Sequence, residues 1–135
     1  MLKKTITFED YNGVKRTEDH YFNLSKAELM KMEMGTTGGY TEMINGLISA
    51  QDVPSIMQIF EEIIEKSYGR KTPDGRGFEK SPELYNSFKQ TEAYTELFMS
   101  LITDADEAAK FFNGIVPADL AEKVQAEMAA QLPTI

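Results

Sequence analysis

Apolar and polar positions alternate at the start of the chain. Leu2, Ile6 and Phe8 interleave with Lys3, Thr5 and Thr7, and a second arm rich in β-formers runs from Val14 to Leu24. Asp10-Tyr11-Asn12-Gly13 stands between them, so residues 1–24 read as a β-hairpin. A two-residue Asn12-Gly13 turn sets Ile6 opposite Asp19 and Phe8 opposite Thr17, which splits the apolar groups between two faces. A three-residue loop, Tyr11-Asn12-Gly13 with Gly13 left-handed, pairs Leu2 with Phe22 and keeps Ile6 and Phe8 on that face. The second register is expected, because one face must be buried.

From residue 25 the period becomes helical. Ser25 and Glu28 have the spacing of a capping box, opening a short helix that ends at Gly35. Ala27, Met30 and Met34 fall on one side of it and Leu29 and Met32 on the other. Gly35-Thr-Thr-Gly-Gly39 breaks the chain, and residues 41–50 read as helix again through Met43, Ile44, Leu47 and Ile48. Asp52 caps a longer helix with Pro54 in its first turn and a stripe of Val53, Ile56, Met57, Phe60, Ile63 and Ile64; Gly69 should stop it. Ile59 widens that arc to about half the circumference, which suggests a central helix with several neighbours.

Residues 69–80 form the clearest loop, with a turn at Pro73-Asp74-Gly75. Ser81-Pro82-Glu83 restarts a helix whose apolar positions run through Leu84, Tyr85 and Phe88 to Ala93, Tyr94, Leu97, Phe98, Leu101 and Ile102. Asp104 opens another that ends at Gly114, and after Pro117 a last helix carries Leu120, Ala121, Val124, Met128 and Leu132 along one side. The expected fold is therefore α+β and predominantly α: an N-terminal β-hairpin followed by a bundle of five or six short helices. Residues 1–117 are expected to be one globular domain (hairpin 1–24, helices 25–117), and 118–135 an amphipathic C-terminal helix that is either peripheral or core.

Composition narrows the chemistry. The 135 residues include one histidine and no cysteine, which excludes a thiol nucleophile, a disulfide framework and a thiolate metal site. No apolar run approaches the roughly 20 residues that span a bilayer, and the N-terminus does not read as a signal peptide, so a soluble, cytosolic protein is expected. The net charge of −8 argues against nucleic acid as a partner. That charge is uneven: residues 66–90 carry six bases against three acids, while both flanks are acidic.

Each candidate for chemistry has a structural explanation. Asp104, Asp106 and Glu107 lack calcium-loop spacing and fit a helix N-terminus. His20 has no nucleophile element to serve and reads as a surface strand histidine. The 35–39 glycines lack the Gly-Lys-[Ser/Thr] ending of a phosphate loop. No cofactor, metal or catalytic residue is expected, and no enzyme. Arg70, Lys71, Arg76 and Lys80, with Tyr68 and Phe78 close by, make a basic loop that is plainly solvated, a dock for an acidic partner or a second copy, or, least in keeping with the acidic whole, a weak nucleic-acid contact. Met30, Met32 and Met34 have two readings: both helix faces are buried, or one is left free, where methionine's pliable thioether suits varied apolar helices. Ile59 and Met99, at or outside the edges of their stripes, are further candidate contacts.

Three phrases together resemble a known family: Tyr21-Phe22-Asn23-Leu24-Ser25-Lys26-Ala27-Glu28, then Tyr68-Gly69-Arg70-Lys71-Thr72-Pro73-Asp74-Gly75-Arg76, and the stretch from Thr91-Glu92-Ala93-Tyr94 to Ile115-Val116-Pro117. They are similar to the tail assembly chaperones of siphovirus-like tailed phages and prophages, over roughly residues 1–117. The resemblance implies a mostly helical, non-enzymatic factor without cofactors, acting in the cytoplasm of the bacterial host. It also implies binding to the long tape measure protein before the tail tube polymerises, and self-association. A structural tail or neck component of the virion is the alternative. The family has no functional motif to transfer, so the candidate contacts Met30, Met32, Met34, Ile59, Met99, Arg70, Lys71 and Arg76 rest on physical inference.

Overall fold

In the computed structural model, residues 1–39, 42, 43, 46 and 49–117 are described. The helix expected over 41–50 falls partly, and the C-terminal helix of 118–135 wholly, outside the described residues. The order of elements is β1 (Leu2–Glu9), β2 (Lys15–Phe22), α1 (Lys26–Met34), α2 (Val53–Ser67), β3 (Tyr68–Lys71), β4 (Phe78–Glu79), α3 (Pro82–Lys89), α4 (Glu92–Thr103) and α5 (Ala105–Ile115).

The N-terminal hairpin adopts the single-faced register: Leu2 lies opposite Phe22 and Ile6 opposite Glu18. Gly13 has φ 77°, and its N–H donates to the Asp10 carbonyl at 3.0 Å, closing the three-residue loop. Ile6, Phe8 and Phe22 are buried as a result. The Asp10 carboxylate completes the turn by accepting from Asn12 and Val14 N–H.

The segment expected to be a loop at 69–80 is instead a second hairpin. β3 pairs with β2, Tyr21 opposite Gly69 and Phe22 opposite Tyr68, and β4 pairs with β3, giving an antiparallel sheet in the order β1-β2-β3-β4. The turn lies where its chemistry placed it: Gly75 has φ 74°, and the Asp74 carboxylate accepts from the Thr72 hydroxyl and Arg76 N–H. Its arms are too short and too polar to show alternation; pairing with β2 makes them strands.

α2 is capped by Asp52, whose carboxylate accepts from Ser55 N–H, and it stops at Ser67, two residues before Gly69. Gly69 serves a different purpose. A Cβ there would collide with the Glu79 carbonyl oxygen and the Phe78 ring, so the position is set by close approach of β3 and β4. The buried row of α2 is Ile59, Ile63, Ile64 and Ser67, with Phe60 packed beside it, so the expected stripe is seated at its C-terminal half while Val53 and Met57 are left outside.

The run expected as one helix from Ser81 to Ile102 divides at Gln90-Thr91, where the Thr91 hydroxyl donates to the Phe88 carbonyl at 2.6 Å. Among the described residues α4 packs against β1, α2, α3 and α5, and α2 too has more than one neighbour, meeting α4 and, through the Phe60 and Phe112 rings, α5. After β2 the chain is clamped by two backbone bonds, Asn23 N–H to the Ser67 carbonyl at 2.8 Å and Leu24 N–H to the Ile115 carbonyl at 2.7 Å. These bonds tie the hairpin to the ends of α2 and α5.

Candidate functional site

α1 is the one helix among those described with no buried residue. Its N-terminus is firmly made, since the Ser25 hydroxyl accepts from Glu28 N–H and the Glu28 carboxylate accepts from Ser25 N–H. Leu29 and Met32 rest half-buried against the core. On the opposite side Met30 is 63% and Met34 82% exposed, with Ala27 exposed beside them. The structure thus separates the two apolar sides of α1: one is seated, the other faces outward. An isolated apolar residue at a surface is ordinary, but two large ones at i and i+4 beside an exposed alanine form a stripe suited to a second helix.

Beneath the seated side runs an open groove of about 780 Å³ between α1, α2 and the start of α3. Leu24, Met32, Tyr68 and Tyr85 supply its apolar lining. Charges of both signs form its rim: Glu28 and Lys31 from α1, Glu62, Glu65 and Lys66 from α2, and Lys80 ahead of α3. Lys80 Nζ lies 2.6 Å from Glu28 Oε2, a bond that fastens α1 to the far side of the groove. Partial burial opposes charge on the Glu28 carboxyl, but the bonds from Lys80 and Ser25 outweigh it and hold its pKa below the ordinary glutamate value.

The expected contact residues do not form one patch. Met32 lines the groove, while Met30 and Met34 lie on the other side of α1. Met99 is 47% exposed on α4, an element that contributes nothing to the groove. Ile59 is 8% exposed and belongs to the core, so the expectation of an exposed contact there is corrected. The i, i+4 row Ile59-Ile63-Ser67 turns it inward. Arg70 is engaged with Glu79 at 2.7 Å, and Lys71 and Arg76 are exposed on β3 and its turn, with no ion-pair partner among the described residues.

His20 is another correction. It sits on the inner face of β2, its side chain only 12% exposed, with Nδ1 3.0 Å from the Tyr68 hydroxyl and Nε2 3.1 Å from Glu18. Its ring lies 4.5 Å from that of Phe88. The pairing with Phe22 on alternate positions was the available signal, since residues 20 and 22 of one strand share a face. The Asp104 cluster is used structurally: the Asp104 carboxylate accepts from Asp106 and Glu107 N–H, and Glu107 pairs with Lys4 at 3.1 Å. No helix among the described residues is long and apolar enough to cross a membrane.

A family model described as phage tail assembly chaperone matches residues 1–134, so the chain belongs to that family. No curated protein and no solved structure matches it.

Proposed function

We propose that this member of the phage tail assembly chaperone family binds the tape measure protein and keeps it soluble while the tail is built, acting in the cytoplasm of the host as a binding protein and not an enzyme. The observation that carries this reading is the outward stripe of Met30 and Met34 on a helix that buries none of its own residues. A long partner made of amphipathic helices aggregates when bare. A pliable apolar stripe covers such a helix, and methionine adapts to the varied side chains it presents. The charge of −8 keeps the complex dispersed.

Met30 and Met34 are the primary contacts, with Met32 meeting a partner that reaches into the groove. Met99 is a separate, secondary contact on α4. Arg70, Lys71 and Arg76 form a basic dock for an acidic surface. Binding is reversible, because the chaperone must leave as the tube closes around its client.

Mass spectrometry of purified particles separates this function from a structural tail or neck role. A chaperone is missing from the finished tail, whereas a structural component is present in stoichiometric amount. In a pull-down with the tape measure, the Met30→Ser/Met34→Ser double variant is expected to bind roughly tenfold or more weakly, as loss of two central apolar anchors does elsewhere. Its thermal midpoint should match the parent's, since neither side chain is buried. Unchanged binding by that variant would overturn the assignment of the stripe.

A further inference from the structure

β1 is an end strand of the sheet, and among the described residues no strand pairs with its outer edge. It runs for eight residues without proline. Asp10 N–H donates to the Val14 carbonyl at 2.9 Å just past its end. The alternation of an antiparallel ladder then turns the backbone groups of even positions toward β2 and those of Lys3, Thr5, Thr7 and Glu9 outward. The side chains of the same four residues are exposed on the face of the sheet away from the core. An edge this long and regular is a template for another strand unless something blunts it.

We infer that β1 pairs antiparallel with β1 of a second copy of this chain, centred on Ile6. The sequence is complementary to itself in that register. Lys3 of one copy stands opposite Glu9 of the other, and Thr5 opposite Thr7, in both symmetry-related halves. Opposite charges and paired threonines are favourable cross-strand neighbours, and like charges in those places are unfavourable. The outward N–H and C=O groups of positions 3, 5, 7 and 9 meet their counterparts in this register. The remaining lysine of β1, Lys4, lies on the inner face, is already paired with Glu107 and does not obstruct the edge. The two sheets become one of eight strands with both helical layers on the same side, and the α1 stripes stay outside the junction. This association is distinct from tape measure binding, and each can fail without the other.

The test is the oligomeric state of the full chain, by sedimentation equilibrium, with single-site variants. The parent is expected to dimerise. Lys3→Glu should raise the dissociation constant about tenfold by placing glutamates opposite each other, and the swap Lys3→Glu/Glu9→Lys should restore it. Thr5→Pro removes an outward N–H and should abolish pairing with an unchanged circular dichroism spectrum, since the bonds to β2 are made by even positions. The chain has no cysteine, so Thr5→Cys and Thr7→Cys each carry one thiol. These two variants should form disulfide dimers when mixed and far fewer when kept apart. A monomer at all concentrations, association indifferent to Lys3→Glu and Thr5→Pro, or cross-linking of each cysteine variant with itself would overturn the proposal.

Discussion

Phe22 has no exposed surface and meets Tyr68, Phe88 and Phe111 edge-on, at centroid distances of 5.5, 5.9 and 5.2 Å. It joins the first hairpin, the second hairpin, α3 and α5, so truncating it opens a cavity that no single element can close. Phe22→Ala is expected to cost about 3–5 kcal/mol in urea denaturation. Gly69 tests a different limit. A methyl group there strikes a backbone oxygen, which cannot move aside as a side-chain tip does, so Gly69→Ala should cost about 1–3 kcal/mol and shift amide resonances of β3 and β4 first. The sequence offered Gly69 as a plausible helix stop, and only strand pairing shows what the missing Cβ avoids. His20 shows the same limit: a polar residue between Asp19 and Tyr21 reads as exposed from sequence, and only Tyr68 of β3 and Phe88 of α3 close over it.

At the scale of elements, local chemistry was legible and lateral pairing was not. The capping box at Ser25, the caps Asp52, Ser81 and Asp104, and the Gly13 loop are short-range patterns whose partners lie within a few residues, and each forms as the sequence indicates. β3 and β4 have four and two residues, too few for a period, and their strand character comes from β2. α1 shows what a capped but weakly seated helix depends on. Its link to the rest of the domain includes Glu28–Lys80, and the Glu28 carboxyl has its pKa lowered in the folded state. A depressed carboxylate contributes stability that is present above its unfolded pKa and lost as pH falls through the folded one. The stability difference between the parent and Glu28→Gln should therefore be present at neutral pH and vanish on acidification through the lower carboxylate range. A difference that persists below that range would mean the bond to Lys80 is not its source.

For the molecule as a whole, the α+β class, the predominance of helix and the family were legible before the structure, because long apolar stripes and recurring phrases survive without tertiary information. Which apolar residues face outward was not, because periodicity marks a face without saying what covers it. Met30, Met34 and Ile59 all carried the same signal; the structure leaves two exposed and buries the third. Charge is organised at this scale as well. The acidic flanks and the basic middle segment give the surface both signs, so association with partners should weaken as salt is raised if Arg70, Lys71 and Arg76 dock an acidic surface. The binding affinity of the tape measure, titrated against sodium chloride for the parent and for Lys71→Ala/Arg76→Ala, should show a shallower salt dependence in the variant.

The most direct test is the soluble fraction of the tape measure protein co-expressed in the host with the parent chain, with Met30→Ser/Met34→Ser, or with nothing. Soluble, co-purifying tape measure with the parent is expected, with a marked loss to the pellet for the double variant and the greatest loss for the empty control. A tape measure that is equally soluble in all three would contradict the shielding role outright.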